Sequence, residues 1–522
     1  MSVQPLTQSL LDNKAFWEGK NAQLPAYDRK NTPVNAICFS MGRMGFGHFG
    51  DIIQDVLDRG GKAGTIAGVE TFAKAYYESL MANDLLVTQI IYGNEKGQAT
   101  PKIQGAFTDA LFIDENVETE AWQKLLAYAR DERVQYATIN APEVVYGMKY
   151  SGGEFAEPTA PKVIADMENG TYLSDPGKWT RFALERFNAG LKFAFVSCTN
   201  FSKNGFFTGA VLRTMARAWE EKGYAPKGFL AYVSDPSQVG FPNTMVDRIA
   251  VSPDAAVAEI MENVGIQANI VVTEENRYWA IEDVFPGGRP EFEKADGVFM
   301  CANFEEVKKY EDMKLRILNM SHTTIASLGV LLGYRGAYGN YKAMQEKVIT
   351  SNIAAIIDIV KSIIAKPAGI DVNTFIADTF TRLNNPNIPD DPMRIALNAS
   401  TKIVPRLMDT YWEGLEAGKP ASELSVILYP VAGFLCYTCG VDDNGDTYEL
   451  EGDPIRDLLI ECGAKAKAGE CVKCAFKPLL SDPQVMGKDL FEETAVLEEL
   501  LGYVKEMLKG NGSVRAFLES KF

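Results

Sequence analysis

The densest group of chemically capable side chains in this 522-residue chain is Glu311-Asp-Met-Lys314-Leu-Arg-Ile-Leu-Asn319-Met-Ser-His322. On a helix advancing about 100° per residue, Glu311, Lys314, Asn319 and His322 fall within an arc of roughly 140°. One face then carries a carboxylate, an amine, an amide and an imidazole, groups able to move protons and to hold hydroxyls. Leu315 and Leu318 share that arc, so the face is mixed and suited to partial burial. By spacing alone, the same residues also read as a solvated face with a Glu311–Lys314 ion pair at i,i+3.

A second constellation lies near the start. Gly42-Arg-Met-Gly45-Phe-Gly47 follows the strand-like run Val34-Asn-Ala-Ile-Cys-Phe-Ser-Met41. It precedes His48 to Asp58, where Phe49, Ile52, Ile53, Val56 and Leu57 recur at helical spacing. Gly60-Gly61 ends that helix, and Lys62 to Glu70 supplies the next strand. Glycines between a strand and a helix let the backbone approach a pyrophosphate, and the helix start offers N–H groups to it. An acidic residue closing the second strand, here Glu70, can bind the adenosine ribose hydroxyls and favours NAD over NADP. A ligand-free tight turn and a solvated strand-end carboxylate are the plainer readings of these features. Cys436-x-x-Cys439 and Cys471-x-x-Cys474 have the spacing of a structural zinc site, but the first pair ends an apolar helix. Buried thiols are the expectation, with no metal.

The elements that must position these groups change character along the chain. Strand candidates recur at Val87 to Tyr92, Val134 to Ile139, Phe193 to Ser197, Phe229 to Val233, Ala268 to Val272 and Gly297 to Cys301. Helical stretches such as Trp179 to Ala189 and Gly209 to Lys222 separate several of them. This alternation predicts an α/β Rossmann-type domain with a mostly parallel sheet over residues 1–304. From Glu305 onward the pattern is almost wholly helical: Glu305–Leu318, Tyr341–Ile364, Val372–Thr381, Arg394–Ala417, Pro454–Ala466 and Phe491–Leu508. Residues 305–522 are therefore expected to form a mainly α-helical C-terminal domain.

Bulk properties narrow the function. The net charge of −17 argues against nucleic acid and anionic membranes as partners, since both require a positive field. Local Arg and Lys residues can still build a cationic pocket for a small anion. Residues Met1 to Asn31 are polar with no apolar signal core, and no stretch has the roughly 18 apolar residues of a membrane span. Eight cysteines are too few for a disulfide scaffold of this length, which fits a cytoplasmic protein. Only two histidines are present, leaving little room for His-rich metal sites.

Lys-x-x-x-x-Asn-x-x-His, here Lys314, Asn319 and His322, resembles the catalytic signature of the mannitol dehydrogenase family of polyol-specific long-chain dehydrogenase/reductases. Other segments resemble that family in the same order. They are Ser197-Cys-Thr-Asn200 with Asn204-Gly205, Phe241-Pro-Asn-Thr-Met-Val-Asp-Arg-Ile249, Asn385-Pro386, Arg394-Ile…Lys402, and Gly440-Val-Asp-Asp-Asn-Gly…Asp453-Pro454. The resemblance implies NAD, or NADP, as cofactor and a linear polyol of the mannitol or arabinitol type and its ketose as substrates. A keto-uronate of the fructuronate or tagaturonate type is the alternative substrate. A nucleotide-binding sensor without turnover is the reading from another class.

The resemblance makes Lys314 a neutral base, with Asn200 and Asn319 donating to the developing alkoxide. His322 would orient the substrate, and Glu311 would relay the proton. Asp247, Arg394 and Lys402 would contact the hydroxyl chain or a carboxylate. Gly42, Gly45, Gly47, His48 and Glu70 would serve the cofactor. Zinc is not needed in such a scheme, because lysine and asparagines replace it. Monomer or small homo-oligomer is expected. The sequence departs from the family's first motif, Gly-x-Gly-x-Phe-His-Arg-x-His, by reading Ser40-Met-Gly42-Arg-Met-Gly45-Phe-Gly47-His48. Thr199 replaces the usual Asp before Asn200, and residues 152–175 read as an insert.

Overall fold

The computed structural model describes residues 3–115, 119–251, 253 and 255–522. The chain folds as two compact units, residues 1–93 with 97–308, and residues 94–96 with 309–522.

The first unit is built on a six-stranded sheet. Its strands are β1 (Val34–Phe39), β2 (Thr65–Glu70), β3 (Phe107–Phe112), β4 (Tyr136–Ile139), β5 (Phe193–Ser197) and β6 (Val239–Gly240). Their order is β6-β5-β4-β1-β2-β3, and every pairing is parallel. This is a doubly wound Rossmann-type order, whose connections diverge between β1 and β4 and leave a crevice outside their carboxyl ends.

Burial on both faces explains the apolar strands. Ile37, Phe39, Ala137, Phe193 and Phe195 pack on one side, with Trp122, Trp179, Phe182 and Trp219 from the helices Glu120–Ala129, Asp175–Asn188 and Asn204–Glu221. Their neighbours Ala36, Cys38, Tyr136, Ala194 and Val196 point to the other side, against Phe49, Ile53, Val271 and Trp279. The alternation is the period-two pattern of a strand covered on both faces.

Several expected elements are corrected. Phe229–Ser234 is a helix rather than a strand, with Phe229, Tyr232 and Val233 buried at helical spacing after Gly228 at φ 96°. A short apolar run does not by its periodicity distinguish the two. Strands Val87–Tyr92 and Asn269–Glu274 lie outside the main sheet, in a four-stranded sheet with Ala250–Val251 and Ala99–Gln104. Ala99–Gln104 is an edge strand, which is why Pro101 is tolerated there.

The second unit is helical. Its most apolar helix, Ala421–Tyr437, is buried along most of its length. The continuous helix expected over Arg394–Ala417 is instead broken. A helical turn at Pro392–Ala396 gives way to Asn398 at φ 55°, a 3₁₀ turn at Ala399–Lys402, a π-helical turn at Val404–Met408 and an α-helix at Asp409–Glu416. The helix that begins at Phe304–Met313 is also irregular. It widens into π-helix at Lys314–Asn319, returns to α at Met320–Thr324, and widens again at Ile325–Gly329.

Candidate active site

In the first unit, the turn after β1 stands at the crevice between β1 and β4. Ser40 adopts φ 71°, a left-handed conformation that glycine takes without penalty. A side chain built at Gly42 would meet nothing within 4 Å, so the backbone there is open to approach. At Gly45 it would crowd the Ser40 carbonyl at 3.2 Å, and at Gly47 it would clash with Thr273 at 2.8 Å. Gly45 and Gly47 therefore serve close packing of the π-helical turn Gly45–Gly50. Ser40, Gly42 and Gly45 thus supply a left-handed turn, an open backbone and close packing in that order. Ser40, which stands where the family's first motif has its first glycine, takes up a glycine-like conformation.

Ser40→Gly should relieve a left-handed cost of about 1–2 kcal/mol, less the extra unfolded-state entropy of glycine. A gain of up to about 1 kcal/mol in denaturant unfolding is expected, and a loss of stability would show that Ser40 is not strained.

His48 corrects an expectation. Its ring is fully buried edge-on to Trp279, with centroids 5.5 Å apart, and neither ring nitrogen has a hydrogen-bond partner among the described residues. Burial, with Arg248 and Arg277 nearby, pushes its pKa down to about 3. His48 is thus a neutral core residue, and its burial leaves it no face to offer a cofactor phosphate.

Glu70 is also buried. One carboxylate oxygen accepts the N–H groups of Thr71, Phe72 and Ala73 at 3.0, 2.9 and 3.1 Å, fixing the turn after β2. Beside it opens a cavity of about 790 Å³, whose lining includes Thr71, Phe72, Val144, Val145, Asp175 and Lys178. Burial raises the Asp175 carboxyl, against the opposing influence of Lys178 and Thr71. An open glycine backbone at the strand crossover, and an apolar cavity with carboxylates at the end of β2, fit a dinucleotide.

Two of the motif segments in this unit are knitted together. Asn204 Nδ2 donates to the carbonyls of Thr199 and Thr244 at 2.9 Å, and its Oδ1 accepts the Thr244 N–H at 2.9 Å. Asn243 Oδ1 accepts the N–H groups of Gly205 and Phe206. Gly205 is required because a Cβ would lie 2.4 Å from the Phe241 carbonyl oxygen. Asn200, just past β5, is exposed, whereas Asp247 is buried.

In the second unit, Glu311, Lys314 and Asn319 are 5%, 6% and 9% exposed, so the face is not solvated. His322 is half-buried. The π turn matters for this grouping. Residues five apart are offset by about 140° on an α-helix, and the wider i→i+5 turn brings Lys314 and Asn319 closer to alignment. Arg316 leaves that face in a bidentate pair with Glu413.

The sequence reading did not single out Arg406. Its guanidinium donates to the Asn319 carbonyl at 3.3 Å and to Thr323 Oγ1 at 3.0 Å. Arg406 lies one helical turn beyond Lys402, and that spacing was the available signal. Lys402 Nζ donates to the carbonyls of Ile395, at 2.7 Å, and Leu397. Burial, then Arg406 and Arg394, pull its pKa down to about 8. Arg394 pairs with Asp390.

Among the described residues, no group of three or more His, Cys, Asp or Glu side chains is arranged to hold a metal ion. Cys436 and Cys439 are buried, but Cys471 and Cys474 are exposed, contrary to the expectation of buried thiols.

A Rossmann-type unit with this strand order, joined to a helical unit bearing a buried Lys/Asn/Glu face, defines a two-part class of nucleotide-binding proteins. The Rossmann-domain model of mannitol dehydrogenase matches residues 170–294, and the model of its C-terminal domain matches residues 306–508. The chain belongs to the mannitol dehydrogenase family. It is 28% identical over 543 aligned residues to a D-mannonate oxidoreductase of Thermotoga maritima, covering 98% of each chain. It is 34% identical to a mannitol 2-dehydrogenase of Emericella nidulans, over 60% of this chain and 59% of that one. A substrate-free D-sorbitol dehydrogenase shares the fold at a TM-score of 0.81 and 21% identity, covering 99% of this chain and 100% of the other. The fold is also that of Pseudomonas fluorescens mannitol 2-dehydrogenase in complex with NAD and D-mannitol, with a TM-score of 0.78, 22% identity and 99% coverage of both chains. Among the described residues, no helix is long and apolar enough to cross a membrane.

Proposed function

We propose that this chain is an NAD-dependent oxidoreductase that interconverts a secondary alcohol and a ketone on an open-chain sugar derivative, with Lys314 as the base. The observation that carries this reading is the burial of Lys314 and Asn319 at the two ends of one widened helical turn, with buried Glu311 on the α-helical turn before it. Burial disfavours an ammonium ion, as a lysine base requires. Lys314 takes the hydroxyl proton, and Glu311, one turn earlier, passes it to solvent. Asn319 donates to the developing alkoxide. Asn200 is the second donor that the family resemblance implies, and His322 and Asp247 hold neighbouring hydroxyls. NAD, when bound, accepts the hydride. Gly42 offers the backbone for its phosphates, and Glu70 and Asp175 supply negative charge that disfavours a ribose phosphate.

Relatives of both substrate kinds exist, as a D-mannonate oxidoreductase and as mannitol 2-dehydrogenases. One observation favours a sugar acid and its keto-uronate over a neutral polyol. Among the described residues, the hydrogen-bond acceptors of Lys402 and Arg406 are carbonyls and a hydroxyl, with no carboxylate. The adjacent Asp453 is already engaged by Ser400 and the Ile455 N–H. Two half-buried cations whose hydrogen-bond acceptors are neutral form a site for a substrate carboxylate.

The test is a panel of aldonates, keto-uronates, polyols and ketoses assayed with NAD or NADH by absorbance of the reduced cofactor. Arg406→Met should raise KM for the acid about 10–100-fold, and raise it less for any polyol. KM for the acid should also climb as pH rises through about 8, where Lys402 loses its proton. Lys402→Met should remove that limb. Preference for neutral polyols with a flat KM profile would return the substrate to mannitol-type alcohols, and no turnover with any member would end the enzyme reading.

A further inference from the structure

Cys471 and Cys474 differ from the other cysteines. Cys38, Cys198, Cys301, Cys436, Cys439 and Cys462 are all buried. Burial pushes Cys38 up to about 12 and Cys439 up to about 11, keeping those thiols protonated and unreactive. Cys471 and Cys474 are exposed at the two ends of one turn.

The backbone of that turn is set for a bridge. Cys471, at φ −51° and ψ 120°, precedes the short helical turn Val472–Ala475. Its carbonyl accepts the N–H of Cys474 at 2.7 Å and that of Ala475 at 2.9 Å. A turn closed this way keeps the Cα atoms of residues i and i+3 within about 7 Å, and disulfides span about 4.4–6.8 Å. An extended residue followed by helical ones also turns the side chains at the first and fourth positions toward each other, as in reciprocal helix capping. The neighbouring Cys474 thiol draws Cys471 below the ordinary thiol range. The turn is anchored as well, because Ala475 and Phe476 are fully buried and Lys473 pairs with Glu498 at 3.2 Å. Closing a bridge there asks for little movement of the backbone.

We propose that Cys471 and Cys474 form a redox-active dithiol, a second chemical site that exchanges with low-molecular-weight disulfides. The Cys471 thiolate attacks one sulfur of the small disulfide, forming a mixed disulfide and expelling one small thiolate. Cys474 then gives up its proton and attacks the Cys471 sulfur, expelling the second small thiolate, which is protonated from solvent. In sum, two protein thiols and one small disulfide become one protein disulfide and two small thiols. The protein pair is oxidised by two electrons, and the small disulfide is reduced by two. This exchange does not depend on the dehydrogenase reading.

The test equilibrates the full-length protein with mixtures of reduced and oxidised glutathione, followed by acid quenching, alkylation and mass analysis. The expected result is a loss of about 2 Da, mapped to one peptide linking Cys471 to Cys474, while the buried thiols stay reduced. In Cys474→Ser, which cannot complete the exchange, a glutathione adduct should accumulate on Cys471. Cys471→Ser and Cys474→Ser should keep wild-type basal dehydrogenase kinetics and thermal unfolding. Full alkylation of both thiols under oxidised glutathione would overturn the proposal. So would oxidation that appears only with the unfolding transition, or a bridge from Cys471 to any cysteine other than Cys474.

Discussion

Lys314→Met should lower kcat/KM by about a thousandfold while leaving the protein folded, the magnitude general-base removal commonly shows. Methionine matches the lysine stem in length and is apolar, so it suits a position only 6% exposed. The defect should lie mainly in kcat, because the base acts in the transition state. The acidic limb of the kcat/KM profile should flatten in the variant. In a Lys314→Ala variant, added small primary amines should restore part of the rate by entering the vacated space. Wild-type kcat in either variant would remove Lys314 from the proton transfer and leave it a structural residue.

Much of this was legible in the chain itself, for physical reasons that differ by segment. β1, β2, β4 and β5 are apolar on both faces and stand out as continuous runs. β3 was missed because Thr108 and Asp109 interrupt its apolar run. The helix bearing Lys314 was visible from its periodicity, but its π turns were not. A widened turn changes which residues align without changing composition. Partial burial of the Glu311 and Lys314 face was legible from Leu315 and Leu318 on the same arc, but its extent was not, since local sequence does not show what packs over a charged residue. His48 went wrong for the converse reason: its position beside glycines pointed to a ligand, while Trp279, distant in sequence, encloses it.

A second large effect concerns stability. Replacing Asp51 by Asn should destabilise the first unit by about 3–5 kcal/mol, on the scale of breaking a buried charge pair. Asp51 is 2% exposed and lies among Lys102, at 2.6 Å, Arg277 and Arg248, at 3.4 Å. Asp55 also receives Lys102 and Arg277, and Gln104 donates to Asp51 at 3.0 Å. Without the Asp51 charge, Arg248 would lose its ion-pair partner here, and Asp55 would be left to Lys102 and Arg277.

Burial alone would raise the Asp51 carboxyl, but Lys102, Arg277 and Arg248 outweigh it and hold the group well below the usual carboxylate range. With a depressed folded pKa, its contribution is fully present above the unfolded value of about 3.9 and is lost as pH falls below it. Thermal unfolding at neutral pH should therefore drop on the order of 10 °C in Asp51→Asn. The gap from wild type should narrow on acidification below about pH 4. A neutral-pH shift under about 1 kcal/mol would mean that the cations find water or other partners instead.

The widened turn at Lys314–Asn319 also bears on how this helix tolerates insertions and deletions. A π turn is a helix carrying one residue more than an α-helical ladder needs. Losing any one residue there would let the ladder close into a regular helix, with no cost in helical content. Because the wide turn absorbs its surplus residue locally, everything downstream would keep its phase relative to what precedes it. A one-residue shortening between Lys314 and Asn319 would therefore leave a well-formed helix with its reactive side chains still in phase, whereas the same deletion in a regular α-helical stretch would rotate them apart by about 100°.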